Sequence, residues 1–124
     1  SDQDAEKAVA LGADGIIVSN HGGRQIDAGE SSLRSLINLT AKYSDKMTIM
    51  MDGGIRTGPD IARALACGAK FTFMGRPFMY GVSALGNKGG DHTMGMFKAQ
   101  FKQAMEQLCC ETIAELPDTL IATE

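Results

Sequence analysis

Apolar positions along the chain switch repeatedly between helical and strand spacing. Ala5, Ala8 and Val9 follow the three-and-four spacing of a helix face, with Ser1 or Asp2 placed to cap it and Gly12 to stop it. Gly15 to Ser19 carries the continuous run Ile16-Ile17-Val18, which predicts a short parallel strand covered on both faces. Ser31 and Ser32 open a second helix with Leu33, Leu36, Ile37 and Thr40 inward, ending near Tyr43. Thr48 to Met51 is the next strand, and Gly58-Pro59-Asp60 start a helix that turns Ile61, Leu65 and Ala66 inward and stops at Gly68. Phe71 to Met74 predicts a third strand closed by Gly75-Arg76. A long helix follows from about Asp91 to Cys110, carrying Met94, Phe97, Phe101, Met105 and Leu108, with a short helical turn over Thr112 to Leu116 before Pro117.

Helix and strand alternate throughout, which predicts an α/β fold with parallel strands joined by right-handed crossovers. No linker divides residues 1–124, so a single portion of one domain is expected. Three parallel strands close a core poorly, and the chain begins inside a βα repeat. The expectation is a piece of a larger α/β protein whose exposed sheet edges drive homo-oligomer formation.

Composition narrows the function classes. Forty-four per cent hydrophobic and 22% charged residues describe a globular chain rather than a disordered one. The apolar runs are too short to span a bilayer and no signal peptide is visible, so a cytoplasmic protein is expected, peripheral to the membrane at most in a full-length enzyme. A net charge of −3 and a pI near 5.3 argue against a nucleic-acid surface, which needs clustered Lys and Arg. Cys67, Cys109 and Cys110 are odd in number and lack partners at zinc-ligand spacing, so reduced, mostly packed thiols and no metal site are expected.

Each predicted strand ends in a glycine-containing polar turn: Asn20-His21-Gly22-Gly23-Arg24, then Asp52-Gly53-Gly54-Ile55-Arg56, then Gly75-Arg76. In parallel α/β folds such turns share the carboxyl end of the strands, where sites are built. The second and third turns read as a phosphate cradle. Their glycines let backbone N–H groups approach, the helix at Gly58-Pro59 offers its positive end, and Arg56 and Arg76 can fork onto phosphate oxygens. Barrels hold phosphate after strands seven and eight, which makes these three strands the sixth to eighth of a (β/α)8 TIM barrel. His21 lies on no apolar helix face and can accept a proton, while Arg24 can grip a carboxylate through paired hydrogen bonds. Together they suit an acidic substrate that must lose a proton.

The three motifs Ser-Asn-His-Gly-Gly-Arg-Gln, Asp-Gly-Gly-Ile-Arg-x-Gly-x-Asp and Met-Gly-Arg-Pro, in this order and covering nearly the whole chain, resemble the FMN-dependent L-2-hydroxy acid dehydrogenases and oxidases. Ile26-Asp27 and Ser31-Ser32 look most like the bacterial L-lactate dehydrogenases of that family. The resemblance implies FMN as cofactor and His21 as catalytic base, taking the substrate proton as a hydride, or the electrons of a carbanion, passes to flavin N5. It implies that Arg24 clamps the substrate carboxylate and that Ser19 contacts the flavin. Asp52, Gly53, Gly54, Arg56, Gly75 and Arg76 would hold the ribityl phosphate region.

Departures qualify the expected activity. The family's lysine beside flavin N1, its substrate-touching tyrosines and the aspartate behind the histidine come from earlier in the barrel and are absent here. The segment Ala28-Gly29-Glu30 lacks a frequent Pro-Ala. A C-terminal third of an enzyme, inactive alone, is the resulting expectation. Two alternatives stand beside it. Barrels such as inosine monophosphate dehydrogenase also carry Asp-Gly-Gly-Ile-Arg, but they need a nucleophilic cysteine loop between the turns, whereas Cys67 falls near a helix end and His21 with Arg24 has no place in that mechanism. The chain could otherwise be a non-catalytic phosphate-binding or self-assembling module. His92 is expected in a polar loop, as solvated surface or a cap. The methionines read as packing, and Asp2, Asp4 and Glu6 as a helix start that favours the dipole.

Overall fold

A computed structural model describes residues 1–26 and 28–121. Asp27, part of the lactate-dehydrogenase-like local motif, lies outside the described residues. The chain divides into two compact units, one formed by residues 1–54 with 67–73, the other by residues 55–66 with everything from Met74 onward.

The first unit holds helix α1 (Asp2–Ala10), strand β1 (Gly15–Ser19), helix α2 (Ser32–Tyr43), strand β2 (Thr48–Asp52) and strand β3 (Thr72–Phe73). Ser1 caps α1 in a capping box with Asp4, and Gly12 takes φ 76° just past its end. The three strands lie parallel in the order β1-β2-β3, with Gly15 opposite Thr48 and Ser19 opposite Asp52. Chain-order neighbours are what successive strands of a barrel give, whereas a doubly wound sheet reverses its order. Leu36, Leu39, Thr40 and Tyr43 of α2 and Ile49 and Met51 of β2 are buried together. Ile37, expected inward, is exposed, and Leu39 takes its place in the core. The expectation that β1 is covered on both faces also fails. Val18 is buried but Ile17, on the opposite face, is 51% exposed. β3 is shorter than the predicted run, and Phe71 and Phe73 meet edge to face on its exposed side.

The second unit holds α3 (Gly58–Ala66), α4 (Arg76–Leu85) and α5 (Gly89–Gln107), then a 3-10 turn over Ile113–Thr119. Helix α4 was not anticipated from the sequence. Pro77 sits in its first turn, where a missing N–H costs nothing, and Phe78, Val82 and Leu85 already carry helical spacing. Helix α5 begins at Gly89, so His92 lies on a helix and not in a loop. Ala62, Ala66, Ala104, Met105, Cys110 and Leu116 form the core of this unit, with Leu65 and Phe101 packed against it. Met94 and Leu108, expected to pack, are more than two-fifths exposed, as is Met96 to a similar extent. The three cysteines are free thiols: Cys110 is buried, Cys67 half-buried and Cys109 exposed. Burial, then the charge of Glu115, pushes the Cys110 thiol above its ordinary value.

A second capping box closes α3. The Asp60 carboxylate accepts from the Thr57 N–H at 2.9 Å, the Thr57 hydroxyl at 2.8 Å and the Arg56 N–H at 3.1 Å, and Arg63 pairs with it at 2.8 Å. Burial alone would raise the Asp60 pKa, but these donors outweigh it and hold it below its ordinary value of 3.8. Its stabilising contribution is therefore present above that ordinary value and is lost as pH falls through the lower, folded one. Asp60→Ala should cost about 1–2 kcal/mol near neutral pH. Urea titrations should find the difference from the parent chain narrowed at about pH 2; an equal difference at both pH values would remove the charge from the explanation.

Candidate active site

The carboxyl ends of β1 and β2 are tied together in the first unit. The Ser19 hydroxyl donates to Asp52 Oδ2 at 2.9 Å and accepts from the His21 N–H at 3.1 Å. One hydroxyl thus anchors the histidine turn to the turn that follows β2. His21, Gly22 and Gly23 take φ 53°, 66° and 71°, three successive residues in the left-handed region. Two are glycines, for which this is free; His21 is among the few side chains that visit it with any frequency. Asn20 Oδ1 accepts from the Gly22 N–H at 3.0 Å, and the Asn20 N–H donates to Ser32 Oγ at 3.0 Å. The backbone is thereby fixed while the side chains of His21 and Arg24 stay exposed. A base and a cation held on a determined backbone, open to a ligand, can receive a carboxylate and a proton.

Gly53 and Gly54 take φ 95° and 81°. A Cβ on Gly53 would run into Asn20 Oδ1 and approach Ser32 Oγ at 2.8 Å, so the two turns touch through this glycine. A Cβ on Gly54 would meet nothing within 4 Å. Its backbone faces open space, where a bulky anion can approach the N–H groups.

In the second unit Arg56 is exposed and lines a cavity of about 440 Å³ with Pro77, Tyr80, His92 and Met96. The Arg56 side chain and the start of α4 therefore share one opening, and Gly75 and half-buried Arg76 directly precede Pro77. Gly75 also faces open space, and no side chain caps α4. The α3 terminus, in contrast, is closed: the Gly58 N–H donates to Gln100 Oε1 at 2.8 Å and the preceding N–H groups go to Asp60. Thus the expectation that α3 offers its positive end to a phosphate fails, since its donors are spent and a carboxylate sits on it. The helix start that lies beside Arg56 without a side-chain cap is that of α4. His92, discounted from the sequence, lines this opening too. The legible signal for α4 was Pro77 directly after the Gly-Arg turn. Gly54 and Gly75, where a Cβ would meet nothing within 4 Å, stand two residues and one residue before Arg56 and Arg76, and backbone N–H groups beside a guanidinium are donors that suit the phosphate of a flavin mononucleotide.

Among the described residues, no helix is long and apolar enough to cross a membrane. A family model described as FMN-dependent dehydrogenase matches residues 1–123. The chain is 42% identical over 119 residues to 2-hydroxyacid oxidase 2 of Bos taurus, covering 96% of this chain and 34% of that protein. It is 43% identical over 120 residues to an L-lactate dehydrogenase of Allorhizobium ampelinum, covering 96% and 32%. A crystal structure of mandelate oxidase with benzoyl-formic acid superposes with a TM-score of 0.88 at 36% identity, over 94% of this chain and 35% of that one. This chain spans about a third of the length of these relatives. With its parallel α/β fold, a partial barrel, and its three strand-end motifs, the chain belongs to the FMN-dependent dehydrogenase family.

Proposed function

We propose that this chain supplies the substrate base and the phosphate-binding turns of an enzyme that oxidises an L-2-hydroxy acid, L-lactate foremost, to the 2-oxo acid with FMN. The observation that carries the reading is the Ser19 hydroxyl shared between the His21 N–H and Asp52, which joins a proton acceptor to a glycine turn open to a bulky anion. His21 accepts the proton that the hydroxy acid gives up, and its exposed imidazole needs no rearrangement to meet a substrate. Arg24, one residue past the left-handed turn, binds the carboxylate and so fixes which hydrogen of the acid faces the base. Ser19 contacts the flavin from the strand end; Asp52, Gly53, Gly54, Arg56, Gly75 and Arg76 hold its ribityl phosphate region. FMN, when bound, supplies the acceptor for the electron pair. The choice of lactate rests on the relatives of that activity and on the local match around Ser31-Ser32.

Arg56→Ala and Arg76→Ala should each weaken FMN by about 10- to 100-fold, the worth of a hydrogen bond to a charged group. Riboflavin, which lacks the phosphate, should lose much less. Equilibrium dialysis with both flavins checks this, and equal losses for the two ligands would count against the phosphate assignment.

The chain taken alone also self-associates in this reading. β1 is an edge strand with Ile17 half exposed and no proline, lysine or bulge to guard it. Sedimentation velocity should find dimers or larger species, and a monomer at high concentration would contradict it.

A further inference from the structure

Two adjacent serines open α2, and the structure gives them different work. Ser31 is the N-cap, its hydroxyl accepting from the Arg34 N–H at 3.3 Å. Ser32 is thereby released from capping. It is 4% exposed, and its hydroxyl reaches out of the helix to accept the Asn20 N–H at 3.0 Å. The same Oγ lies where a Cβ on Gly53 would come within 2.8 Å. Asn20, held from behind by Ser32, in turn accepts the Gly22 N–H and crowds the same face of Gly53. One buried hydroxyl therefore touches both turns that leave the sheet: the one bearing His21 and the one bearing Gly53 and Gly54.

We propose that Ser32 is a positioning residue that locks the His21 turn in register with the Gly53-Gly54 turn. The proposal rests on the reading of His21 as base, and its physical content is independent of that reading. His21, a non-glycine in the left-handed region, keeps that conformation only while its surroundings over-determine it, and the two glycines after it leave the turn free to relax. The Asn20 N–H is the point where the turn leaves the strand. With the Ser32 hydroxyl absent that donor is left without its partner in a half-buried place, and the Asn20 backbone, from which the side chain reaches Gly22, loses its tie to α2. Ser19 fixes the turn on the strand side, and Ser32 fixes it on the helix side. A base displaced by even an ångström loses much of its advantage.

The test uses Ser32→Ala and Ser32→Thr in two settings. In the chain itself, amide hydrogen exchange followed by NMR should speed up about tenfold at Asn20 in the alanine variant, the loss of one hydrogen bond, with Gly22 following. The threonine variant, which keeps the hydroxyl, should exchange like the parent. In a chimera carrying these residues within the L-lactate dehydrogenase matched over 120 residues, Ser32→Ala should lower kcat about 10- to 100-fold with the flavin absorbance retained, and Ser32→Thr should recover most of it. Unchanged exchange at Asn20 overturns the clasp. Faster exchange with unchanged kcat overturns its role in positioning. If instead His21→Gln leaves turnover intact, the base assignment fails, and the exchange measurement still decides whether Ser32 holds the turn.

Discussion

His21→Gln, in a chimera where this chain replaces the matching 120 residues of the L-lactate dehydrogenase, is expected to lower lactate turnover by about 10²- to 10⁴-fold with FMN still bound. Glutamine keeps a similar length and can hydrogen-bond, but it cannot take up a proton near neutral pH. The backbone should not respond, because it is the His21 N–H that binds Ser19, and that group survives the substitution. A left-handed φ of 53° is somewhat less comfortable for glutamine than for histidine, a cost small beside the chemical one. Stopped-flow reduction of the flavin by lactate isolates the step. Reduction within about threefold of the parent rate would end the assignment of His21 as base, since general base catalysis is worth far more than that. Loss of the flavin spectrum would instead show that the turn had moved, and the Ser32 exchange measurement separates these outcomes.

Gly58→Ala is expected to be a severely damaging single-methyl change, at about 3 kcal/mol. Gly58 is buried at the start of α3, and a Cβ there would run into the Phe101 nitrogen and into the carbonyl carbon and Cβ of Gln100. These are backbone and near-backbone atoms of α5, which cannot swing aside as a side-chain end can. The two helices would have to separate, and the 2.8 Å bond from Gly58 N–H to Gln100 would go with them. Gly54→Ala is the contrasting control. Its φ of 81° is unfavourable for alanine, a cost Gly58 does not carry, yet the added methyl meets nothing within 4 Å, so only the conformational cost of about 1–2 kcal/mol applies. By thermal unfolding the difference should reach several degrees, given about 4–8 °C per kcal/mol for a domain near this size. Equal losses at the two positions would mean that α3 does not seat on α5 through its glycine. Gly54→Ala should nevertheless impair FMN binding, because its methyl would fill the open approach.

Much of the fold was legible because the signals were local. The run Ile16-Ile17-Val18 between turn residues marked β1, Ser31 marked the start of α2, and Gly12 and Gly68 marked helix ends at φ 76° and 99°. α4 escaped because Gly-Arg-Pro was read only as a turn, although a proline in the first helical turn is also a start signal. The burial errors share a different cause. Ile37 and Leu39 both fit a helical stripe within one turn, and only the direction from which β1 and β2 approach α2 decides which of them is covered.

The candidate site divides in the same way. Residue types and order alone identified the histidine and arginine turn, the Asp-Gly-Gly turn and the Gly-Arg turn, since a proton acceptor, fixed cations and small backbone residues can be recognised wherever they stand. That the start of α3 is closed could not be read from the chain. It depends on Gln100, 42 residues beyond Gly58 in sequence, and on Asp60 having taken the Arg56 and Thr57 N–H groups just before the helix. Nor could Ser32 be distinguished from Ser31, because their difference is the 3.0 Å bond that only one of them makes to Asn20. Local spacing determines what an element is and which groups it carries; the partner each donor or acceptor finds is settled only when distant segments pack, because a hydrogen bond requires two groups to meet and the sequence specifies them one at a time.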